Sequence, residues 1–216
     1  MSELEPGFPS EHAKTLSTLI SPERIQAYLD TLQYPSGPEN RCPRRVMAES
    51  QAHCLDGALF AAFALRRLGH PPVIVDLLPE PGTDDDHVLA IYRCGRGFGA
   101  LAKSNFTGLR LREPVYRTLR ELIMSYFDFY FNVDGIKTLR FHTPQVHLEQ
   151  LDHLGWMTSD TGVDAIEKHL YILRKIPLLT PEMIAALTPT DSLTYRAGTL
   201  VINPAGLYKP HSPNAS

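Results

Sequence analysis

The residues best suited to nucleophilic chemistry in this sequence are Cys54 and His87. A free thiol has a pKa near ~8.5, so it needs a base or a positive electrostatic field before it becomes mostly thiolate at neutral pH. An imidazole within hydrogen-bond reach of the sulfur supplies both. The pair therefore predicts a cysteine nucleophile whose proton is taken by a histidine base.

Such a histidine usually needs a third side chain that fixes its tautomer and its orientation. Asn105 has an amide oxygen, Ser104 has a hydroxyl with less reach, and three aspartates at 84–86 carry full charges on an expected loop. A two-residue hairpin loop would set His87 opposite Ser104, and a three-residue loop would set it opposite Asn105. We favour Asn105, because the glycines on both sides of Arg96 permit the longer loop.

The cysteine lies near the start of an apolar segment at residues 49–69, ESQAHCLDGALFAAFALRRLG. Apolar residues recur three or four positions apart and fill most of the circumference, which predicts a buried helix. Ser50 is the expected N-cap and Gly69 the expected C-terminal glycine. Cys54 then lies in the first turn, where free N–H groups and the positive helix end favour a thiolate. Gln51 is the expected side-chain donor to an oxyanion, beside the Cys54 N–H.

Two segments after this helix predict strands that present the histidine. Residues 73–78 form a short apolar run rich in β-branched side chains, which is typical of a buried strand. Residues 87–93 and 98–102 flank the turn sequence CGRG and predict a β-hairpin that opens on His87. The remaining pattern predicts two short helices at 10–32 that meet at Ser21 and Pro22, a helix from Pro114, strand-like residues at 135–148, helices at 162–173 and 180–187, and a hairpin or extended arm at 193–208.

This order of elements resembles the core of the transglutaminase-like superfamily, whose folds are similar to papain. The resemblance rests on HCLDGALFAAFALRRLG, HPPVIVDLL and DDHVLAIYR, and it covers residues 51–107. It implies that Cys54 is the nucleophile and that His87 is its base. The family usually has Trp and then Asp on the returning strand, where this sequence has GALAKSNF. The third role therefore falls on Asn105 or Ser104 by position.

We accordingly expect an α+β fold with a papain-like or transglutaminase-like core, in which a cysteine-bearing buried helix packs on a small antiparallel sheet. The core spans about 46–132 of a single domain at 1–216, and 133–216 form a C-terminal extension that packs on the core or covers the cleft. The resemblance implies a cysteine-dependent acyl-transfer enzyme, most simply a hydrolase of a peptide or a small amide. The alternative, which the departure at KSNF favours, is a catalytically inactive binding or scaffold domain.

Composition argues against several other classes of protein. A hydrophobic fraction of 43% with a net charge of −3 and no basic tract argues against disorder and against a nucleic-acid partner. No apolar run reaches the length of a membrane span, so we expect no membrane partner and a cytoplasmic location. Three widely spaced cysteines do not indicate a disulfide framework. The histidines at 142, 147 and 153 lack the spacing of a zinc site, and we expect neither a metal nor a cofactor.

Overall fold

The computed structural model describes residues 7–208, which form an α+β fold with a small antiparallel sheet and several helices, as expected. The helices are α1 (Ala13–Thr18), α2 (Pro22–Thr31), α3 (Pro43–Glu49), α4 (Cys54–Arg67), α5 (Leu119–Met124), α6 (Asp160–Ile172), α7 (Pro181–Ala185) and α8 (Ser192–Gly198). The strands are β1 (Val73–Pro79), β2 (His87–Cys94), β3 (Gly97–Leu101), β4 (Arg112–Tyr116), β5 (Leu139–His142), β6 (Val146–His147) and β7 (Ile176–Pro177). Within these described residues, no helix is both long enough and apolar enough to cross a membrane.

The sheet is built around β1 and β2, and all strand pairs in the described part of the chain are antiparallel. The strand order is β4-β3-β2-β1-β5-β7, and β6 also pairs with β1. Strands β5, β6 and β7 all follow residue 132. The segment expected as a C-terminal extension therefore supplies part of the central sheet.

Both faces of the sheet are covered, and alternate residues of β2 serve different faces. Val88, Ala90 and Tyr92 pack in the hydrophobic cluster that contains α4. Leu89 and Ile91 pack in the cluster that contains α5 and the aromatic residues that follow it. Consecutive side chains of a strand point to opposite faces, so these two sets fix the direction of every side chain in β2.

Helix α4 lies on the first of these faces, and every residue from 55 to 65 is buried. Full burial of a Phe or Leu side chain stabilises a fold by roughly 1.5–3 kcal/mol, so Phe60 and Phe63 alone account for several kcal/mol. The helix ends where the sequence predicts. Gly69 has a φ of +87°, and the His70 N–H donates to the Leu65 carbonyl at 3.0 Å across the helix end.

The start of α4 differs from the expectation. Ser50 is not its N-cap, because Ser50 ends α3 in the left-handed conformation with a φ of 53°. His53 is the N-cap residue and Cys54 is the first residue of the helix. The Asp56 carboxylate accepts a hydrogen bond from the His53 N–H at 3.0 Å and from the Arg41 N–H at 2.8 Å. This buried acid therefore closes the first turn of α4 and does not point at the thiol.

Two further expectations of secondary structure are wrong. Pro114 lies inside β4, where the sequence predicted the start of a helix. Helix α5 begins only after Thr118, whose side chain accepts from the Glu121 N–H. The hairpin or arm expected at 193–208 is instead α8 followed by the short 3-10 helix Pro204–Gly206.

Candidate functional site

Cys54 is half-buried and lies where the start of α4 meets the start of β2. Its Sγ is 3.7 Å from the carbonyl oxygen of Asp86, to which the S–H donates. Burial and then the Asp86 carboxylate raise the pKa of the Cys54 thiol well above its ordinary value, and Asp76 and Asp85 act in the same direction. The thiol is therefore protonated at neutral pH.

His87 does not lie beside this thiol. Its ring is buried on the opposite face of the sheet, edge-on to the rings of Tyr126 and Tyr130 with centroid distances of 6.4 Å. Its Nε2 lies 2.8 Å from the carbonyl oxygen of Leu109. A carbonyl only accepts hydrogen bonds, so Nε2 carries the ring proton.

The predicted Cys54–His87 geometry is therefore contradicted. In β2, Val88 is the side chain that shares a face with α4, whereas His87 and Leu89 share the other face. Burial lowers the pKa of His87 to about 4, so the ring is neutral at neutral pH. A neutral imidazole on the far side of the sheet provides neither a base nor a positive field for the thiol.

The residues expected to orient His87 do not contact it either. The β2–β3 loop has two residues, because Cys94 pairs with Gly97, so the longer loop on which Asn105 was favoured does not form. The Ser104 Oγ accepts instead from a backbone N–H two residues away, at 3.0 Å.

Asn105 holds the segment at 203–207, which we call the C-terminal strap. Its Nδ2 donates to the carbonyl oxygens of Asn203 at 3.0 Å and Gly206 at 3.3 Å, and its Oδ1 accepts from the Asn203 N–H at 2.8 Å. The Asn203 side chain in turn donates to the Tyr34 carbonyl at 2.8 Å. An amide that the sequence assigned to catalysis thus serves as a clamp on a distant part of the chain.

The remaining candidates have structural partners of their own. Gln51 accepts through Oε1 from the Arg41 guanidinium at 3.3 Å and does not line the pocket at Cys54. The Asp84 carboxylate accepts from the Thr138 hydroxyl at 2.8 Å and so anchors its loop. Gln51 is therefore not placed to donate to an oxyanion at Cys54, and the hydrogen bond of the Asp84 carboxylate goes to Thr138 rather than to His87.

Two carboxylates, those of Asp76 and Asp86, act electrostatically on Cys54, and the sequence analysis considers only Asp86 of the two, as an orienter of His87. Asp86 immediately precedes β2, and burial followed by the charge of Asp85 raises the pKa of Asp86 to about 7. Asp76 pairs with Val88 across the β1–β2 ladder and so faces α4. Burial and then the charge of Asp86 raise the pKa of Asp76 well above its ordinary value.

Asp76 is unusual because one oxygen of its buried carboxylate is not satisfied, although the carboxylate accepts from the His87 N–H. The residue is 1% exposed, and its Oδ1 has no hydrogen-bond partner among the described residues. Its backbone is well paired, since its N–H donates to the Thr143 hydroxyl at 3.0 Å. A charged side chain in the middle of the apolar strand sequence VIVDLLP was the available signal for this position.

A pocket of about 320 Å³ opens at the head of α4. The Cys54 thiol and three carboxylates, those of Asp85, Asp86 and Glu167, line it. None of the described residues that line it is Lys or Arg. Tyr34 and Tyr171 supply aromatic walls, so the pocket combines negative charge with ring surface.

A second, smaller cavity adjoins this pocket. That cavity has a volume of about 80 Å³ and is lined by His87, Ser104 and Asn105. Asp85 and Asp86, together with Tyr34 and with Gly206 and Leu207 of the strap, line both spaces. The sequence predicts that His87, Ser104 and Asn105 lie with Cys54, whereas in the structure those three residues line the second cavity and Cys54 lines the first.

No protein-family model matches the sequence, and no curated protein has detectable similarity to it. Among residues 7–208, no group of three or more His, Cys, Asp or Glu side chains is arranged to hold a metal ion.

Proposed function

We propose that this protein is a non-catalytic ligand-binding domain with a transglutaminase-like, papain-like architecture, and that its ligand occupies the pocket at the head of α4. One observation carries this proposal: three carboxylates line the pocket on which Cys54 opens, and the histidine expected to activate the thiol lies across the sheet. The volume of about 320 Å³ falls within the range of roughly 300–1,000 Å³ that is usual for small-molecule sites.

The proposed architecture is supported by the order of the elements. A helix that begins with a cysteine is followed by two antiparallel strands, and it packs on the sheet that they form. This is the order that the sequence resemblance implies. The departure at KSNF supports the non-catalytic assignment, because Asn105 is committed to the C-terminal strap.

Cysteine-dependent acyl transfer to or from a peptide or small amide is the second candidate function. Its support is the position of Cys54 as the first residue of α4, with a thiol that opens on the pocket. In this arrangement the base would have to be Asp86, whose pKa of about 7 is suited to accepting a proton at neutral pH. The two candidates differ in the expected ionisation of the thiol.

The pH dependence of Cys54 alkylation by iodoacetamide tests the proposal, with peptide mapping to separate it from the exposed Cys94 and the buried Cys42. We expect the rate at Cys54 to rise steadily with pH and to show no plateau near neutrality, because the thiol is protonated there. The His87→Gln variant should have the same profile. The Asp86→Asn variant should react faster at neutral pH, because it removes a negative charge beside the thiol.

The matched control is Glu149→Gln, which removes one exposed negative charge outside the pocket. It should leave the alkylation profile unchanged. A rate plateau at or below neutral pH that disappears in His87→Gln or Asp86→Asn would show an activated thiolate. That result would overturn the non-catalytic assignment in favour of acyl transfer.

A further inference from the structure

We propose that the C-terminal strap is a gate at the junction of the pocket at the head of α4 and the second cavity, and that its release opens the two spaces into one cleft. This inference rests on the proposed function, since it concerns how a ligand enters the same pocket. It is carried by the residues that the two spaces share and by the way in which the strap is held.

The first support is the boundary between the two spaces. Asp85, Asp86 and Tyr34 line both of them, and so do Gly206 and Leu207 of the strap. The two aspartates immediately precede β2, so this boundary lies where the strand begins. Once the strap has left, the opened cleft runs around the start of β2 and joins the side of the sheet on which α4 packs to the opposite side.

The second support is the way in which the strap is attached. Asn105 makes three hydrogen bonds to its main chain, and the Asn203 side chain makes a fourth to the Tyr34 carbonyl. Every residue from 203 to 207 is at least partly exposed, so the strap buries little apolar surface. A segment held mainly by hydrogen bonds near solvent opens at a lower free-energy cost than the core does.

The third support is a hinge between α8 and the strap. The end of α8 is fixed by Thr107, whose N–H and hydroxyl both donate to main-chain carbonyls there. Residues 199–202 connect this anchor to the part of the chain that Asn105 holds, and the side chains of Leu200 and Val201 within the connection are exposed. Rotation within 199–202 therefore moves the strap while α8 stays in place.

Two substitutions release the strap by different routes. A Cβ atom at Gly206 would lie 2.8 Å from Cδ1 of Tyr34 and 2.9 Å from the carbonyl oxygen of Pro35, so Gly206→Ala displaces the strap without removing a hydrogen-bonding group. Asn203→Ala removes the hydrogen bond to the Tyr34 carbonyl. Asn203 is not among the residues that line either space, so its loss leaves their walls unchanged.

The test compares alkylation of Cys54 by iodoacetamide and by the bulkier pyrenyl iodoacetamide. Both reagents are uncharged and attack the thiolate, so the ratio of their rates reports access rather than ionisation. Diethyl pyrocarbonate reports access to His87, and peptide mapping assigns each product. We expect Gly206→Ala and Asn203→Ala each to raise the pyrenyl-to-iodoacetamide ratio at Cys54, and the rate at His87, by about fivefold or more, because a lost hydrogen bond shifts the opening equilibrium by about that factor.

Leu200→Ala is the control within the connection, because its side chain is 79% exposed, and it should change neither quantity. The buried Cys42 reports global unfolding and should stay unreactive in every variant. The inference is overturned if neither Cys54 nor His87 becomes more accessible, if only one of them does, or if Cys42 reacts together with them. Failure of the proposed function has a different signature, because an activated thiolate gives a plateau in the pH profile with iodoacetamide alone and leaves the ratio of the two reagents unchanged.

Discussion

Replacement of Asp86 by Asn should stabilise the protein at about pH 8 and have little effect near about pH 4. Burial and the charge of Asp85 raise the pKa of the Asp86 carboxyl from 3.8 to about 7. Between these two values the folded protein holds a proton that the unfolded chain has released, so the stability contributed by this group falls as the pH rises. An Asn side chain does not titrate, so the variant does not lose this folding stability as the pH rises.

The magnitude follows from the same two pKa values. A pKa shift of one unit corresponds to about 1.36 kcal/mol, so the rise from 3.8 to about 7 gives an upper bound of about 4 kcal/mol for the loss of folding stability at alkaline pH. Asp86 is only half-buried at the wall of an open pocket, and water relieves part of the penalty. We therefore expect Asp86→Asn to raise the free energy of unfolding by about 2 kcal/mol at alkaline pH.

Urea denaturation of the variant and the wild type at a series of pH values measures this difference directly. Subtraction of the wild-type free energy of unfolding from that of the variant largely cancels the contribution of His87. That contribution is common to both proteins, and its pH dependence is opposite to that of Asp86. The control Glu149→Gln, at an exposed acid, should show no such pH-dependent difference. Asp86→Asn would refute the reasoning if it were destabilised at alkaline pH, or if its effect were the same at both ends of the range.

Two further predictions concern residues that the sequence assigned to catalysis. His87→Ala should lower the free energy of unfolding by about 2–4 kcal/mol above pH 6.5, because it removes a hydrogen bond and leaves a cavity. Burial lowers the pKa of His87 from 6.5 to about 4, so urea denaturation should show that the difference between wild type and variant shrinks as the pH falls from 6.5 to about 4. Asn105→Ala removes three hydrogen bonds to the C-terminal strap, each worth about 0.5–1.5 kcal/mol, so amide hydrogen exchange at 203–207 and alkylation of Cys54 should both become faster. Ser104→Ala is the matched control and should change neither rate; equal effects of the two variants would contradict the clamp.

The parts of the fold that the sequence predicted correctly are those with local causes. Helix α2 begins as expected because Ser21 accepts from the Arg24 N–H and Pro22 is its first residue. Thr180 begins α7 in the same way, by accepting from the Met183 N–H. Each signal involves residues within three positions of one another, and no distant part of the chain has to be known.

The face on which His87 lies had no such local signal. In β2 the residues at odd and even positions are almost equally apolar, with Val88 and Ala90 on one face and Leu89 and Ile91 on the other. A strand buried on both faces has no polar side to identify its orientation. Which set faces α4 is decided by the whole packing arrangement, so the sequence could place His87 at the start of a strand but not choose its face.

The importance of Asp76 could have been recognised from the sequence. The run VIVDLLP was interpreted as an apolar strand, yet it carries an acid at the same parity as the inward-facing Ile74. A buried acid in a strand is normally paired or hydrogen-bonded, so its presence marks a position that needs a specific partner. Asp86 enters the sequence analysis only as a member of an acidic loop that could orient His87.

Burial and neighbouring like charges raise the pKa of Asp76 and of Asp86, and the charges of both acids, with that of Asp85, raise the pKa of the Cys54 thiol. Removal of one of these charges should therefore make the thiol more reactive near neutral pH, which is the change that alkylation of the Asp86→Asn variant measures.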